Sequence, residues 1–272
     1  MRKLSKKDEV YFDVTHLFRP VSLMSFIIAE FGQIAFNMKI GGVFYGMLKR
    51  NEPSKLIDVK MFFEFLEWAK AFEELDRFAS LERLVQLSTN KLPQNAYSLL
   101  ERMEESFNIA NMSAIYKEIQ KLKTHLKYFK ESENNVIKLL SPRFEEFINY
   151  FDKKSVGDFQ LALAQFFASR NNSALAYIAL AEAIVTKVAE KQGLKESEIS
   201  SEDDRKKIKK EIFDGFSYPY DHPKRKFAVL FKKINKIRNN IAHQLENSQN
   251  AKQDIENLPK YIKKSKEYIN KF

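Results

Sequence analysis

The residues with the clearest chemical potential form one short run near the C-terminal end of the chain, Arg238-Asn239-Asn240-Ile241-Ala242-His243. Cleavage of RNA without a metal needs a group that moves protons and a cation that stabilises the charged phosphorane. A histidine titrates near neutral pH and can carry the proton. An arginine can hold two phosphate oxygens at once, and Asn239 can contact the phosphate or orient the histidine. The run therefore predicts a catalytic site built on Arg238 and His243.

The spacing within this run limits how the site can be assembled. On an ideal α-helix five positions turn the side chain by about 500°, which leaves Arg238 and His243 about 140° apart. One straight helix does not aim both at the same phosphate. Either the helix ends near His243, or a second copy of the chain completes the site. A purely structural role is also open, because Arg and His near a helix C-terminus interact favourably with the helix dipole.

The positive charge of the chain is concentrated around this run. The formal net charge is +10, and residues 203–272 contain 18 Lys and Arg against 9 Asp and Glu. Such a field favours a polyanionic partner, most simply a nucleic acid. A solvated lysine-rich surface is the alternative interpretation.

A second cluster of polar residues lies near the N-terminus, where Asp13, Thr15, His16 and Arg19 follow a predicted strand. Ligands of open α/β sheets bind beyond the carboxyl ends of strands. A hydroxyl, an imidazole and a guanidinium at that place suit a ligand that carries phosphates. The alternative is a strand end with an Asp-Thr turn and a proline at the helix entry.

Composition excludes several other kinds of chemistry. The absence of Cys removes disulfides, thiolate metal sites and thiol nucleophiles, and four His are too few for a His-rich metal centre. Neighbouring acids such as Glu104-Glu105 lack a partner His, which argues against a two-metal nuclease. We therefore predict no metal and no cofactor. Without a signal-peptide pattern or an uncharged apolar run of about 18 residues, the sequence predicts a cytoplasmic protein with no membrane span.

The hydrophobic pattern predicts a mainly α fold, α+β overall, in which a short β-α-β unit precedes helices. Residues 1–60 form the α/β segment, with strands over Glu9–Thr15, Gly41–Leu48 and Lys55–Val59 and a helix over Val21–Phe36. The third strand lies close enough to the second to form a hairpin. Residues 61–140 form a helical connector and residues 141–272 a helical domain. Further along the chain, one helix is expected to begin at Ser141-Pro142 and another to run from Ser173 to near Gly193. A polar loop is expected over Lys195–Asp204, and helices are expected over Lys226–His243 and Asn257–Lys271.

Both polar clusters resemble known signatures. The Arg238–His243 run resembles the Arg-x4–6-His motif of HEPN-domain ribonucleases, including the polar residue after Arg. The Asp13–Arg19 run resembles the Asp-x-Thr-His-Gly-Phe-Arg segment of CARF domains in type III CRISPR-associated CARF–HEPN proteins, with Leu17 in place of Gly. The two occur in the family's order, and the resemblance covers nearly the whole chain. Further similar segments are Gly42–Gly46, Ile57-Asp58 and Phe65–Ala69.

This resemblance implies a fold and an activity. Residues 1–60 would be a remnant of a Rossmann-like CARF domain without its N-terminal half, and residues 141–272 a HEPN domain. A homodimer would bring two motifs together into one composite site that cleaves single-stranded RNA without a metal. His243 would act as general acid/base or stabilise the phosphorane, Arg238 would hold the scissile phosphate, and Asn239 would support them.

The resemblance also implies an activator. In complete members of the family, a cyclic oligoadenylate binds the CARF dimer and activates the nuclease. Asp13, Thr15, His16 and Arg19 match the residues that would face this ligand. Because half of the cleft is missing, we expect weak binding or none.

Two other functions are compatible with the same residues. One is an RNA-binding or regulatory dimer without catalysis, and the other is a HEPN toxin of a toxin–antitoxin pair. An intact Arg238/His243 pair favours an enzyme over an inert binder, and the Asp13–His16 run favours CRISPR defence over a toxin.

Overall fold

The computed structural model describes residues 9–15, 19–47, 53–194, 199, 201–243 and 251–271, apart from the side chains of residues 19, 20, 23, 242 and 243. The chain divides into two compact units, residues 1–71 and 72–272. The first unit contains a small sheet and one complete helix, and a second helix crosses into the next unit. In chain order these elements are β1 (Glu9–Asp13), α1 (Arg19–Phe36), β2 (Lys39–Met47), β3 (Lys55–Asp58) and α2 (Met61–Phe78).

The sheet of the first unit has the order β1-β2-β3, with β1 parallel to β2 and β2 antiparallel to β3. The predicted fold class, mainly α with a short β-α-β segment and a hairpin, is thus confirmed. Asn37 takes a left-handed conformation with φ of 52°, which ends α1 and turns the chain into β2. A small apolar core lies between the helices and the sheet; its buried members are Val14, Ala29, Met38, Ile40, Val43 and Phe63.

The second unit is helical throughout the part that the structure describes. A 3-10 turn (Gly215–Ser217) lies between the helix Glu202–Asp214 and the helix Pro223–His243. After α2, the helices are α3 (Glu82–Ser88), α4 (Gln94–Asn108), α5 (Met112–His125), α6 (Lys127–Lys130), α7 (Asn135–Phe151), α8 (Val156–Ser169), α9 (Ser173–Lys191), α10 (Glu202–Asp214), α11 (Pro223–His243) and α12 (Ala251–Lys271).

Helix α9 is the centre of this unit and packs against α8, α10, α11 and α12. The helix is buried on most sides through its small and branched apolar residues, as expected for a helix without a broad polar face. Asn172 caps its start by accepting a hydrogen bond from the Leu175 backbone N–H at 3.2 Å. Gly193, with φ of 77°, follows its end. The predicted limits of this helix are therefore confirmed.

The start of α7 differs from the prediction. The helix begins at Asn135, so Pro142 lies inside it rather than at its first turn. Asn134 caps this earlier start by accepting from the N–H groups of Val136 and Ile137. Proline has no N–H for the carbonyl of Lys138, but the Ser141 hydroxyl donates to that oxygen at 2.9 Å. A neighbouring side chain thus makes the proline acceptable within the helix.

Other boundaries also differ from the prediction. Helix α11 begins at Pro223 rather than Lys226, and the bounds of α1 and the strands differ by one or two residues. Helix α10 begins at Glu202, within the predicted polar loop, because Ser201 caps it and three acids in its first turn complement the helix dipole. Residues 195–198 and 200 of that predicted loop lie outside the described residues. Helix α12 begins at Ala251 rather than Asn257. In the described part of the chain, no helix is long and apolar enough to cross a membrane.

Candidate active site

Helix α11 carries the Arg238–His243 run and is anchored by its apolar side. Phe227, Phe231 and Ile234 are fully or almost fully buried on that side, and the helix packs on α9, α10 and α12. At its start, the Gly215 backbone lies so close that an added Cβ would be 2.5 Å from the carbonyl oxygen of Lys224. The packing therefore fixes the rotation of α11 and with it the direction in which Arg238 points.

Arg238 points towards α9 and forms an ion pair there. Its Nη2 lies 3.6 Å from Glu182 Oε1, and the two side chains are 31% and 24% exposed. Its Nη1 also donates to Asn239 Oδ1 at 3.2 Å. The structure thus brings Arg238 and Asn239 together and adds a carboxylate that the sequence analysis did not select.

Arg205 on α10 contacts the same carboxylate from another side. Its guanidinium donates to Glu182 Oε2, to Thr186 Oγ1 at 3.3 Å and to the carbonyl oxygen of Ile199 at 3.2 Å. Glu182 is therefore shared by two arginines from two helices. The only sequence signal for it was a single acid within the apolar stretch Leu175–Val185.

A cavity of about 580 Å³ adjoins this ion-pair cluster, and its lining includes Glu182, Arg205 and Arg238. The N-terminal ends of α5 and α8 also border it, through Met112 and Val156. Its volume is in the range of small-molecule sites. One face of the candidate catalytic arginine can therefore be reached from a cavity.

His243 lies at the last described position of α11, and its side chain is not described. The helix is continuous from Arg238 through His243. Five positions on a continuous helix amount to about 500° of rotation. Positions 238 and 243 of one chain therefore lie about 140° apart around the helix axis.

The polar residues after β1 make contacts within the sheet. The Thr15 N–H donates to Asp13 Oδ1 at 2.9 Å, and the Thr15 hydroxyl accepts from the Gly46 N–H at 2.7 Å. The first bond is a local turn at the end of β1, and the second joins that end to the end of β2. His16 lies outside the described residues, and for Arg19 the structure describes the backbone at the start of α1 but not the side chain.

No group of three or more His, Asp or Glu arranged to hold a metal ion occurs among the residues that the structure describes. At Arg238 the described residues provide a cation, an adjacent amide and a shared carboxylate.

The fold is thus that of a mainly helical protein with a small N-terminal sheet, and the candidate site is a polar cluster centred on Arg238. A sequence model of the family described as "CRISPR-associated protein MJ1674, second domain" matches residues 64–158. The chain is similar to CRISPR-associated protein MJ1674 of Methanocaldococcus jannaschii, with 23% identity over 279 aligned positions. That alignment covers 96% of this chain and 42% of the relative, so the chain spans less than half of the relative's length. Both comparisons support a CRISPR-associated family.

Proposed function

We propose that this chain is a metal-independent endoribonuclease that cleaves single-stranded RNA in CRISPR-related defence. The observation that carries the proposal is the placement of Arg238. The Glu182 carboxylate holds its guanidinium beside a cavity, on the same helix as His243 and within a strongly basic region. A fixed guanidinium, an amide and an imidazole are the groups that RNA cleavage without a metal requires.

The proposed reaction uses these groups in one transesterification. The 2′-hydroxyl loses its proton and its oxygen attacks the adjacent phosphorus, while the bond from phosphorus to the 5′-oxygen breaks. His243 moves a proton in this exchange, and Arg238 binds the phosphate oxygens that gain charge. Asn239 keeps Arg238 oriented. The products are a 2′,3′-cyclic phosphate and a 5′-hydroxyl.

The working unit in this proposal is a homodimer. Because α11 is continuous through His243, positions 238 and 243 of one chain lie about 140° apart around the helix axis. Two copies related by a two-fold axis can place the His243 of one beside the Arg238 of the other. One site assembled in this way needs no bend in the helix.

The CRISPR-related role rests on similarity. The relative that the chain matches over 96% of its length is named a CRISPR-associated protein. The chain spans only 42% of that protein, so the assignment of a defence role to this chain is part of the proposal. We also propose that cyclic oligoadenylate is at most a weak ligand. The Thr15 hydroxyl accepts from the Gly46 N–H, which leaves its single O–H as the only donor that it can offer to a phosphate.

The test is cleavage of a labelled single-stranded RNA by the wild type and by Arg238→Ala and His243→Ala. We expect each substitution to lower the cleavage rate at least about a hundredfold, the lower range for removal of a general acid/base or a transition-state donor. Lys236→Ala is the matched control, because Lys236 is an exposed cation on the same helix outside the motif. Equal rates for the wild type and both motif variants would contradict the proposal.

A binding protein without catalysis is the second candidate. The ion pair with Glu182 favours it, because an engaged Arg238 also has a structural use. This candidate predicts that the wild type binds RNA without cleaving it.

A further inference from the structure

The surface between α11 and α12 forms a groove of about 520 Å³ that is separate from the Arg238 cavity. Four lysines line it: Lys226 and Lys233 from α11, and Lys260 and Lys264 from α12. Three tyrosines and two amides, Gln253 and Asn257, complete its polar lining, and no acidic residue belongs to it. We call this surface the Lys–Tyr groove.

The charge of the Lys–Tyr groove is available to a ligand. Among the described residues, Lys233, Lys260 and Lys264 form no ion pair. Lys226 lies 3.5 Å from Asp221, but the Asp221 side chain is 93% exposed, and ion pairs of that kind are weak. The groove therefore presents a nearly uncompensated positive field, which suits a chain of phosphates.

The tyrosines give the groove a second property that fits nucleic acid. Tyr220 is 78% exposed at one end, and Tyr261 and Tyr268 are partly buried within the lining. Tyr268 is held edge-on against Phe227, with ring centroids 6.4 Å apart. Aromatic rings beside a basic track are the surfaces on which unpaired bases stack. A paired base is already stacked in its helix, so this combination favours a single strand.

The position of the groove connects it to the candidate active site. Lys226 and Lys233 are seven residues apart on α11, which is about 10 Å along the helix axis. Arg238 and His243 follow Lys233 after about 7 Å and about 15 Å along the same axis. A strand that lies along the lysines of α11 therefore heads for the end of the helix that carries the motif. To reach Arg238 it must also turn around the helix, because Lys233 and Arg238 are five positions and so about 140° apart.

We propose that the Lys–Tyr groove binds single-stranded RNA through its lysines and tyrosines and directs the strand along α11 to the end of the helix that carries the Arg238–His243 motif. The second half of this inference rests on the proposed ribonuclease function, whereas RNA binding in the groove does not. The groove would contact backbone phosphates and base faces, so it accepts RNA with little sequence preference.

The experiment measures binding separately from cleavage. Fluorescence anisotropy of a labelled single-stranded oligouridine is recorded with the 272-residue chain that carries His243→Ala, which keeps the RNA intact. The test variant adds Lys260→Glu and Lys264→Glu, and the matched control adds Lys252→Glu and Lys263→Glu. The control lysines are exposed on the same helix but do not line the groove, and their substitution changes the net charge equally.

We expect the groove variant to bind RNA at least about tenfold more weakly than the control, because it loses two phosphate contacts. The slope of log affinity against log salt should also become shallower by about 1.4, the value for two contacts to a single strand. Tyr220→Ala should weaken binding, and Tyr220→Trp should preserve it because a stacking face remains. Circular dichroism melts verify that each variant is folded.

Two outcomes separate this inference from the proposed function. If the groove and control variants bind equally while the wild type cleaves RNA, the groove proposal is overturned and the ribonuclease proposal stands. If binding depends on the groove but the wild type does not cleave RNA, RNA binding in the groove stands and the ribonuclease proposal fails. A preference for duplex RNA over the single strand would also overturn the groove proposal.

Discussion

Glu182 connects the candidate catalytic arginine to the helical core. Its carboxylate lies between Arg238 and Arg205, and all three side chains are partly buried. The 3.6 Å separation from Arg238 is that of an ion pair and is longer than a good hydrogen bond. Arg238 is therefore oriented, and the N–H groups that do not donate to Asn239 are left for phosphate oxygens.

Replacement of Glu182 tests this positioning role. Glu182→Gln keeps the shape and an acceptor for Arg205 but removes the negative charge that holds Arg238. We expect the single-turnover cleavage rate to fall about tenfold, since misplaced catalytic groups lose rate quickly. RNA affinity should stay equal or rise, because the surface gains net positive charge. Rapid-quench kinetics and anisotropy measure the two effects.

The control for this substitution is Glu202→Gln, which removes an exposed carboxylate that pairs with Lys206. It should leave the cleavage rate unchanged. A purely structural role for Glu182 would instead lower the melting temperature of Glu182→Gln and leave the rate of the folded protein intact. That result would contradict the positioning role.

The sequence identified Arg238 and Asn239 because their types and adjacency carry chemical information. It did not identify Glu182 or Arg205 as their partners. Those contacts depend on the rotation of α9, α10 and α11 about their axes, which tertiary packing determines. The hydroxyl of Thr15 illustrates the same limit, because its bond to the Gly46 N–H depends on the register of two strands.

At the scale of elements, the junction between α10 and α11 sets the direction of the motif-bearing helix. Gly215 in the 3-10 turn approaches the Lys224 carbonyl oxygen, and an added Cβ would be 2.5 Å from it. The neighbouring atom is backbone, so it cannot move aside as a flexible side chain does. We expect Gly215→Ala to lower the free energy of unfolding by about 1–3 kcal/mol, the usual effect of overpacking.

Thermal unfolding followed by circular dichroism checks this prediction. Gly193→Ala serves for comparison, because a Cβ there meets no atom within 4 Å and only the φ of 77° opposes it. Gly193→Ala should lower the free energy of unfolding by about 1–2 kcal/mol, which is the cost of a left-handed conformation for one residue with a side chain. An unchanged melting temperature for Gly215→Ala would show that the junction tolerates a side chain and does not fix α11.

Single residues that favour a helix end predicted that end well where no neighbouring side chain changed their effect. Asn172 and Gly193 mark the two ends of α9, and they match the helix that the sequence predicts from Ser173 to near Gly193. The sequence predicts a helix start at Ser141-Pro142, because a proline interrupts the hydrogen-bond pattern of a helix interior. The hydroxyl of Ser141, which satisfies the carbonyl left without a donor, cannot be read from the pattern alone.

At the scale of the whole molecule, the proposed composite site requires two copies. The first unit also exposes a row of apolar residues on α1, including Ile27 and Ile34 at 69% and 73% exposure. Large exposed apolar patches mark surfaces that bind another protein. We expect a dimer of twice the 32.0 kDa chain mass in multi-angle light scattering at micromolar concentration. A monomer that still cleaves RNA would contradict the composite site.

We propose that Arg238 and His243 cleave RNA without a metal. Analysis of the product ends in excess EDTA tests this mechanism. A labelled single-stranded RNA is incubated with the wild type, and the new ends are identified by mass spectrometry. The account predicts that cleavage persists and leaves a 2′,3′-cyclic phosphate and a 5′-hydroxyl, because the 2′-oxygen is the nucleophile. Loss of cleavage in EDTA that Mg²⁺ or Mn²⁺ restores, or products with a 5′-phosphate, would contradict it.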